Sequence, residues 1–150
     1  MGSLVYIGEV FGSLLAMPIY SKIPVKYVLL ISIVLQTVVI LAFVFSGTNY
    51  GVMATCRFFT GVFQVFISIF GPIWCDAHGP SDKKTTWITY FIVATPVGMV
   101  AGYLITALIL SFEGNWAWSF YLQVLLLVPI AFYIATINPD LLVLTAAADT

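Results

Sequence analysis

Five long apolar runs, each closed by a short polar connection, constrain this chain more than any other feature of it. They cover residues 3–19, 27–45, 52–75, 87–111 and 117–137, and the connections read YSKIPVK, SGTNYG, DAHGPSDKKTT and FEGNW. A hydrocarbon layer ~30 Å thick takes about 20 residues of α-helix to cross. Within it every backbone N–H and C=O must be bonded by the chain itself, which leaves helices and closed barrels. Unbroken runs of this length match helices, whereas barrel strands alternate in stretches of about ten residues. The expected fold is therefore all-α and integral to the membrane, a multi-pass bundle of five transmembrane helices over residues 1–137. Asn138 and Pro139 end the last helix and leave a short tail, 138–150. The connections are too short to hold a second folded unit.

Composition excludes the main alternatives. Hydrophobic residues make up 62% of the chain and charged residues 7%, too few to cover a soluble domain of 150 residues. A formal charge of −1 gives no electrostatic footprint for nucleic acid, and no basic amphipathic segment suggests a helix lying on the surface. The lipid bilayer is the expected partner. The opening MGSLVYIGEVFGSLL lacks a cationic start and carries Glu9 in its apolar part, so it reads as a mature helix rather than a secretory signal.

Lysines set the expected orientation. Lys22 and Lys26 stand in the first connection and Lys83 and Lys84 in the third, while the second and fourth contain no Lys or Arg. Cations near span ends are retained on the cytoplasmic side, which puts the amino terminus outside and the carboxyl terminus inside.

Arg57 is the one cation outside those two connections, about 9 Å into the third run. Its stem can snorkel to the interface. It also heads a stripe, Arg57, Gly61, Gln64 and Ser68, that follows one helix face at i, i+4, i+7 and i+11, and such a face turns toward protein or water. A guanidinium offers five donors and cannot be deprotonated, so it needs a carboxylate, carbonyl oxygens or an anionic substrate opposite. Glu9, about six residues into the first run, is expected at a similar depth and is the candidate counter-charge, either as a structural lock or as a gate.

Small residues recur every four positions in two runs, Gly8, Gly12 and Ala16 in the first and Ala94, Gly98, Gly102 and Thr106 in the fourth. They predict close helix packing, with sliding surfaces as the functional alternative. Pro72 and Pro96 predict bends. Cys56 and Cys75 fall about 28 Å apart on one helix, too far to bond, and His78 alone makes no metal-ligand set. No nucleophile, metal or cofactor constellation is present, so an enzyme is not expected.

The order of Arg57-Phe-Phe-Thr-Gly61, then Pro72 and Asp76 at the inner end of the same helix, then YFIVATPVGMVAGY, then GNWAW resembles the N-terminal half of major facilitator superfamily transporters, and among them the Spinster-like branch. The likeness implies that the five runs are similar to the second through sixth helices of such a half. Arg57 and Gly61 match the fourth-helix Arg-x-x-x-Gly motif, and Pro96, Gly98 and Gly102 match the fifth-helix Pro-Val-Gly region. Gly8, Gly12, Pro96, Gly98, Gly102, Lys22 and Asp76 are then packing or gating positions, and Arg57, Gly61, Gln64, Ser68 and Glu9 line the cavity or the substrate path. Ser21 stands where the family's aspartate is expected, Gln64 where the branch carries an acidic residue, and Ala117 where a basic residue often separates the tryptophans. The resemblance implies membrane transport of a small organic or lipid-like solute by alternating access, with the missing helices of a full-length transporter as partners. The alternative is a non-transporting helical subunit or scaffold whose polar groups only hold helices together.

Overall fold

The computed structural model describes residues 2–47, 49–80, 82–112 and 115–142. Five helices follow one another, α1 Gly2–Lys22, α2 Val25–Phe45, α3 Tyr50–His78, α4 Lys84–Ser111 and α5 Ala117–Thr136, with a 3-10 turn at Pro139–Leu142 and no strand among the described residues. All five are long and apolar enough to cross a membrane. The protein is an integral, multi-pass, all-α membrane protein. The boundaries differ from the hydropathy limits where polar groups can still serve the backbone. Asn49 accepts a hydrogen bond from the Val52 N–H and starts α3 early, and the same helix continues through Asp76 to His78. Pro18, Pro72, Pro96 and Pro129 all lie inside continuous helices, so neither Pro72 nor Pro96 breaks its span.

The tail does not simply leave the bundle. Its 3-10 turn packs on α2, Leu142 is buried, and Lys26 Nζ donates to the Ile137 carbonyl at 2.7 Å, satisfying one of the orphan acceptors at the end of α5. Residues 143–150 lie outside the described residues.

α3 is the hub. It packs on α1, α2 and α4, while α2 bridges α3 to α5. α1 and α2 barely meet each other, because α3 lies in the groove between them, and α4 and α5 touch as little. Lipid already solvates apolar side chains, so close approach of backbones has to hold such helices together. Glycines supply it on both sides of the α1–α3 seam. A Cβ on Gly8 would fall on the Phe58 carbonyl, one on Gly12 would meet Val62 and Val65, and one on Gly61 would fall on the Val5 carbonyl. These pairings advance together along both chains, so α1 and α3 run parallel. Deeper along the seam Ala16, Val28, Val65 and Phe66 form the core, and the Tyr20 hydroxyl donates to the Phe66 carbonyl at 2.6 Å.

α4 packs differently. It meets α3 where the Phe91 ring occupies the space a side chain at Gly71 would need, and an Asp76–Lys84 ion pair of 3.1 Å joins the two helices at their turn. None of its residues is buried, and nothing lies within 4 Å of a Cβ built on Gly98 or Gly102. The first small-residue stripe is therefore a packing surface. The second, expected to pack as well, is open among the described residues.

Candidate functional site

Arg57 sits seven residues into α3, about 10 Å from its start, and half-buried. Two helices reach its guanidinium. Its Cζ lies 4.3 Å from the centre of the Phe43 ring on α2 and 5.2 Å from that of Phe120 on α5. The two rings are 5.1 Å apart, and each also meets Trp116 edge-on at about 6 Å. Ring faces carry negative potential and attract a cation placed over them.

Two cavities open on either side of this cluster and share Arg57, Phe120 and Gln123 in their walls. The smaller, about 100 Å³, adds Val5, Thr60 and Gln64. The larger, about 540 Å³, runs between α4 and α5, where Gly98, Gly102 and Thr106 face Ser119, Leu122 and Leu126. Its wall is largely apolar with a few polar groups near the cation. The Ser119 hydroxyl oxygen is buried and has no hydrogen-bond partner among the described residues. Such a space suits an amphipathic molecule whose charged end meets Arg57 and whose apolar part lies along α4 and α5.

Of the residues singled out in the sequence, the structure brings Arg57 and Gln64 into one cavity, and Gly98 and Gly102 join Arg57 in the other. Gln64 and Ser68 are both exposed on α3. Ser68 lines neither cavity and donates its hydroxyl to the Gln64 carbonyl at 3.3 Å. Gly61 leaves the stripe, because its bare backbone is the contact surface for α1. Glu9 also stands apart from Arg57. Its backbone nitrogen lies opposite Gly61, one turn beyond Arg57 along α3, and it forms no ion pair among the described residues. The depth argument placed the two charges level, whereas the offset of the parallel α1–α3 seam sets Val5 beside Arg57 instead. Asp76 pairs with Lys84, and Lys22 is exposed at the end of α1.

Phe43, Phe120, Ser119 and Gln123 were not singled out in the sequence, and Trp116 was noted only as part of GNWAW, not as a neighbour of Arg57. Gln123 had a signal, since the three glutamines of the chain all fall inside apolar runs, where an amide needs a partner. The aromatic residues had none, because an aromatic in a membrane helix is ordinary packing material.

Comparison with known proteins completes the description. Residues 1–146 match the family model of the Major Facilitator Superfamily. The chain is similar to a protein of Arabidopsis thaliana described as "Probable sphingolipid transporter spinster homolog 1", 28% identical over 117 residues, which are 75% of this chain and 23% of that relative. It is likewise similar to "Probable sphingolipid transporter spinster homolog 3" of the same plant, 26% identical over 123 residues, or 80% of this chain and 23% of the relative. The chain thus spans about a quarter of the length of these relatives. No solved structure matches it significantly.

Proposed function

Since the chain belongs to the major facilitator superfamily, we propose that it forms part of a secondary transporter that moves a small organic or lipid-like solute across a membrane by alternating access, with Arg57 as the anchor for an anionic group of that solute. The observation that carries the reading is a half-buried guanidinium without an ion pair among the described residues, set in the wall of a largely apolar cavity of about 540 Å³. A cation held there attracts a charged headgroup, while Leu122, Leu126 and Met99 offer apolar surface to the remainder. The sphingolipid named for the two plant relatives is an amphipathic molecule of this general kind. Gln64 and Gln123, on facing walls of the smaller cavity, supply neutral donors and acceptors beside Arg57. Gln64 cannot exchange a proton, so coupling to a proton gradient would run through another group.

The remaining helices of the transporter are partners in this reading, and the groove between α4 and α5 supports it. α3 fills the corresponding groove between α1 and α2 by approaching Gly8 and Gly12, and α4 presents Gly98 and Gly102 to its own groove at the same spacing. A further apolar helix seated there would close the large cavity to lipid on one side and leave Arg57 facing the space between the halves.

The test is transport by the full-length protein in vesicles. Arg57→Ala should abolish uptake while the folded yield stays close to that of the parent, and Arg57→Lys should restore it poorly, because an ammonium lacks the planar bidentate fork. Uptake by Arg57→Ala equal to that of the parent would reject the anchor.

A further inference from the structure

We infer that Phe43 and Phe120 are the positioning residues of Arg57: their ring faces hold the guanidinium in the bundle in place of a carboxylate, so that its charge and its N–H donors stay available to the cavities.

Three helices converge for this purpose. Phe43 comes from α2, Arg57 from α3 and Phe120 from α5, with Cζ 4.3 and 5.2 Å from the two ring centres, inside the range of about 6 Å over which a ring attracts a cation. Phe43 is 6% exposed, and its ring is fixed further by Phe120 at 5.1 Å and Trp116 at 6.0 Å. Phe43 is thus held by packing, and the arginine lies over its ring. Glu9, the carboxylate expected to do this work, lies a turn further along, opposite Gly61.

The choice of counter-group changes what the arginine can do. A carboxylate neutralises it and takes two donors in a fork-to-fork pair. A ring face attracts the guanidinium through its negative potential and carries no net charge of its own, so it holds the group without cancelling its charge. Arg57 thus keeps its charge beside Gln64 and Gln123, with no ion pair or carboxylate partner among the described residues. The rings hold the side chain in the same way whether or not a solute binds or is transported.

The sequence supplies a direct probe, because Arg57 is the only arginine of the chain. With ¹⁵N-labelled arginine, the 150-residue protein in detergent micelles gives one arginine side-chain signal. Ring currents should move its Nε–H proton upfield of free arginine, and Phe43→Leu or Phe120→Leu should each return it part of the way. Phe120→Tyr, which keeps a ring, should hold the parent position, and Glu9→Gln should leave the signal where it is. Should a leucine variant fold poorly by circular dichroism, 3,4,5-trifluorophenylalanine placed at position 43 or 120 keeps the shape and weakens the ring's negative face. Arg57 should then exchange and reorient faster than in the parent. A signal at the free-arginine position in the parent, or one that moves in Glu9→Gln and not in the phenylalanine variants, overturns the proposal.

Discussion

Alanine placed in turn at Gly8, Gly12, Gly61, Gly71, Gly98 and Gly102 tests the packing of the bundle with one chemistry and a built-in control. At Gly61 and Gly8 the new methyl lands on a carbonyl oxygen of the neighbouring helix, which has no rotamer to move out of the way. Relief requires α1 and α3 to separate by about 1 Å, and a gap of 0.5–1 Å forfeits roughly a quarter to a half of each dispersion contact along the seam. Overpacking of this kind costs about 1–3 kcal/mol. Alanine's better helix propensity returns about 1 kcal/mol, leaving a net loss of about 0–2 kcal/mol. At Gly12 the obstruction is shared between the Val65 side chain and the Val62 backbone, and at Gly71 it is the Phe91 ring, so the cost should fall in that order. Gly98 and Gly102 have nothing within 4 Å, and alanine there should be neutral or stabilising by up to about 1 kcal/mol. Propensity cancels in the comparison, and the seam and α4 positions should differ by about 1–3 kcal/mol. Reversible unfolding in mixed micelles with increasing dodecyl sulfate, followed by tryptophan fluorescence, measures the series. Equal losses at Gly61 and Gly98 would refute the reasoning, because they would mean that the face of α4 is as tightly packed as the α1–α3 seam.

Two further outcomes follow from the same structure. Tyr20→Phe removes the donor to the Phe66 carbonyl and keeps the ring, so it should cost about 0.5–1.5 kcal/mol in the unfolding assay, and no loss would show that the bond contributes nothing net. Single cysteines at Asn49 and Asn115, in a background with Cys56 and Cys75 replaced, should react with an impermeant label from outside intact cells while one at Asp82 does not, and the reverse pattern would invert the orientation.

The spans were legible because a run of apolar residues long enough to cross lipid has few other fates, and the Gly8–Gly12 stripe was legible because small residues at that spacing mark close helix contact. The partner of that stripe was not. That α1 runs parallel to α3, with Glu9 opposite Gly61 and Val5 beside Arg57, depends on a seam offset that no single helix encodes. Counting residues from each span's end placed Glu9 and Arg57 level. Counted from the observed helix starts at Gly2 and Tyr50 the two are still level, so the count missed because packing rather than span ends fixes the relative depth of two helices. The aromatic seat was hidden for a related reason. Opposite charges advertise a pair in sequence, whereas Phe43 and Phe120 are two of twelve phenylalanines and become partners of a cation only through the meeting of α2, α3 and α5.

The two grooves of the bundle explain why the site around Arg57 is cationic and open at once. Where α3 fills the groove between α1 and α2, backbone meets backbone and the Tyr20 hydroxyl donates to the Phe66 carbonyl. Where the groove between α4 and α5 is open, the Ser119 oxygen has no partner and Gly98 and Gly102 no neighbour within 4 Å among the described residues, and Arg57 forms part of the wall. A structural arginine in lipid would be expected to lie in the first kind of seam with a carboxylate against it, since a buried unpaired charge is costly. Arg57 lies at the second, stabilised by rings that leave its charge intact. A helix seated on Gly98 and Gly102 would therefore be added to a surface whose principal polar feature is already in place, and an anion taken up by the cation would displace no partner among the described residues.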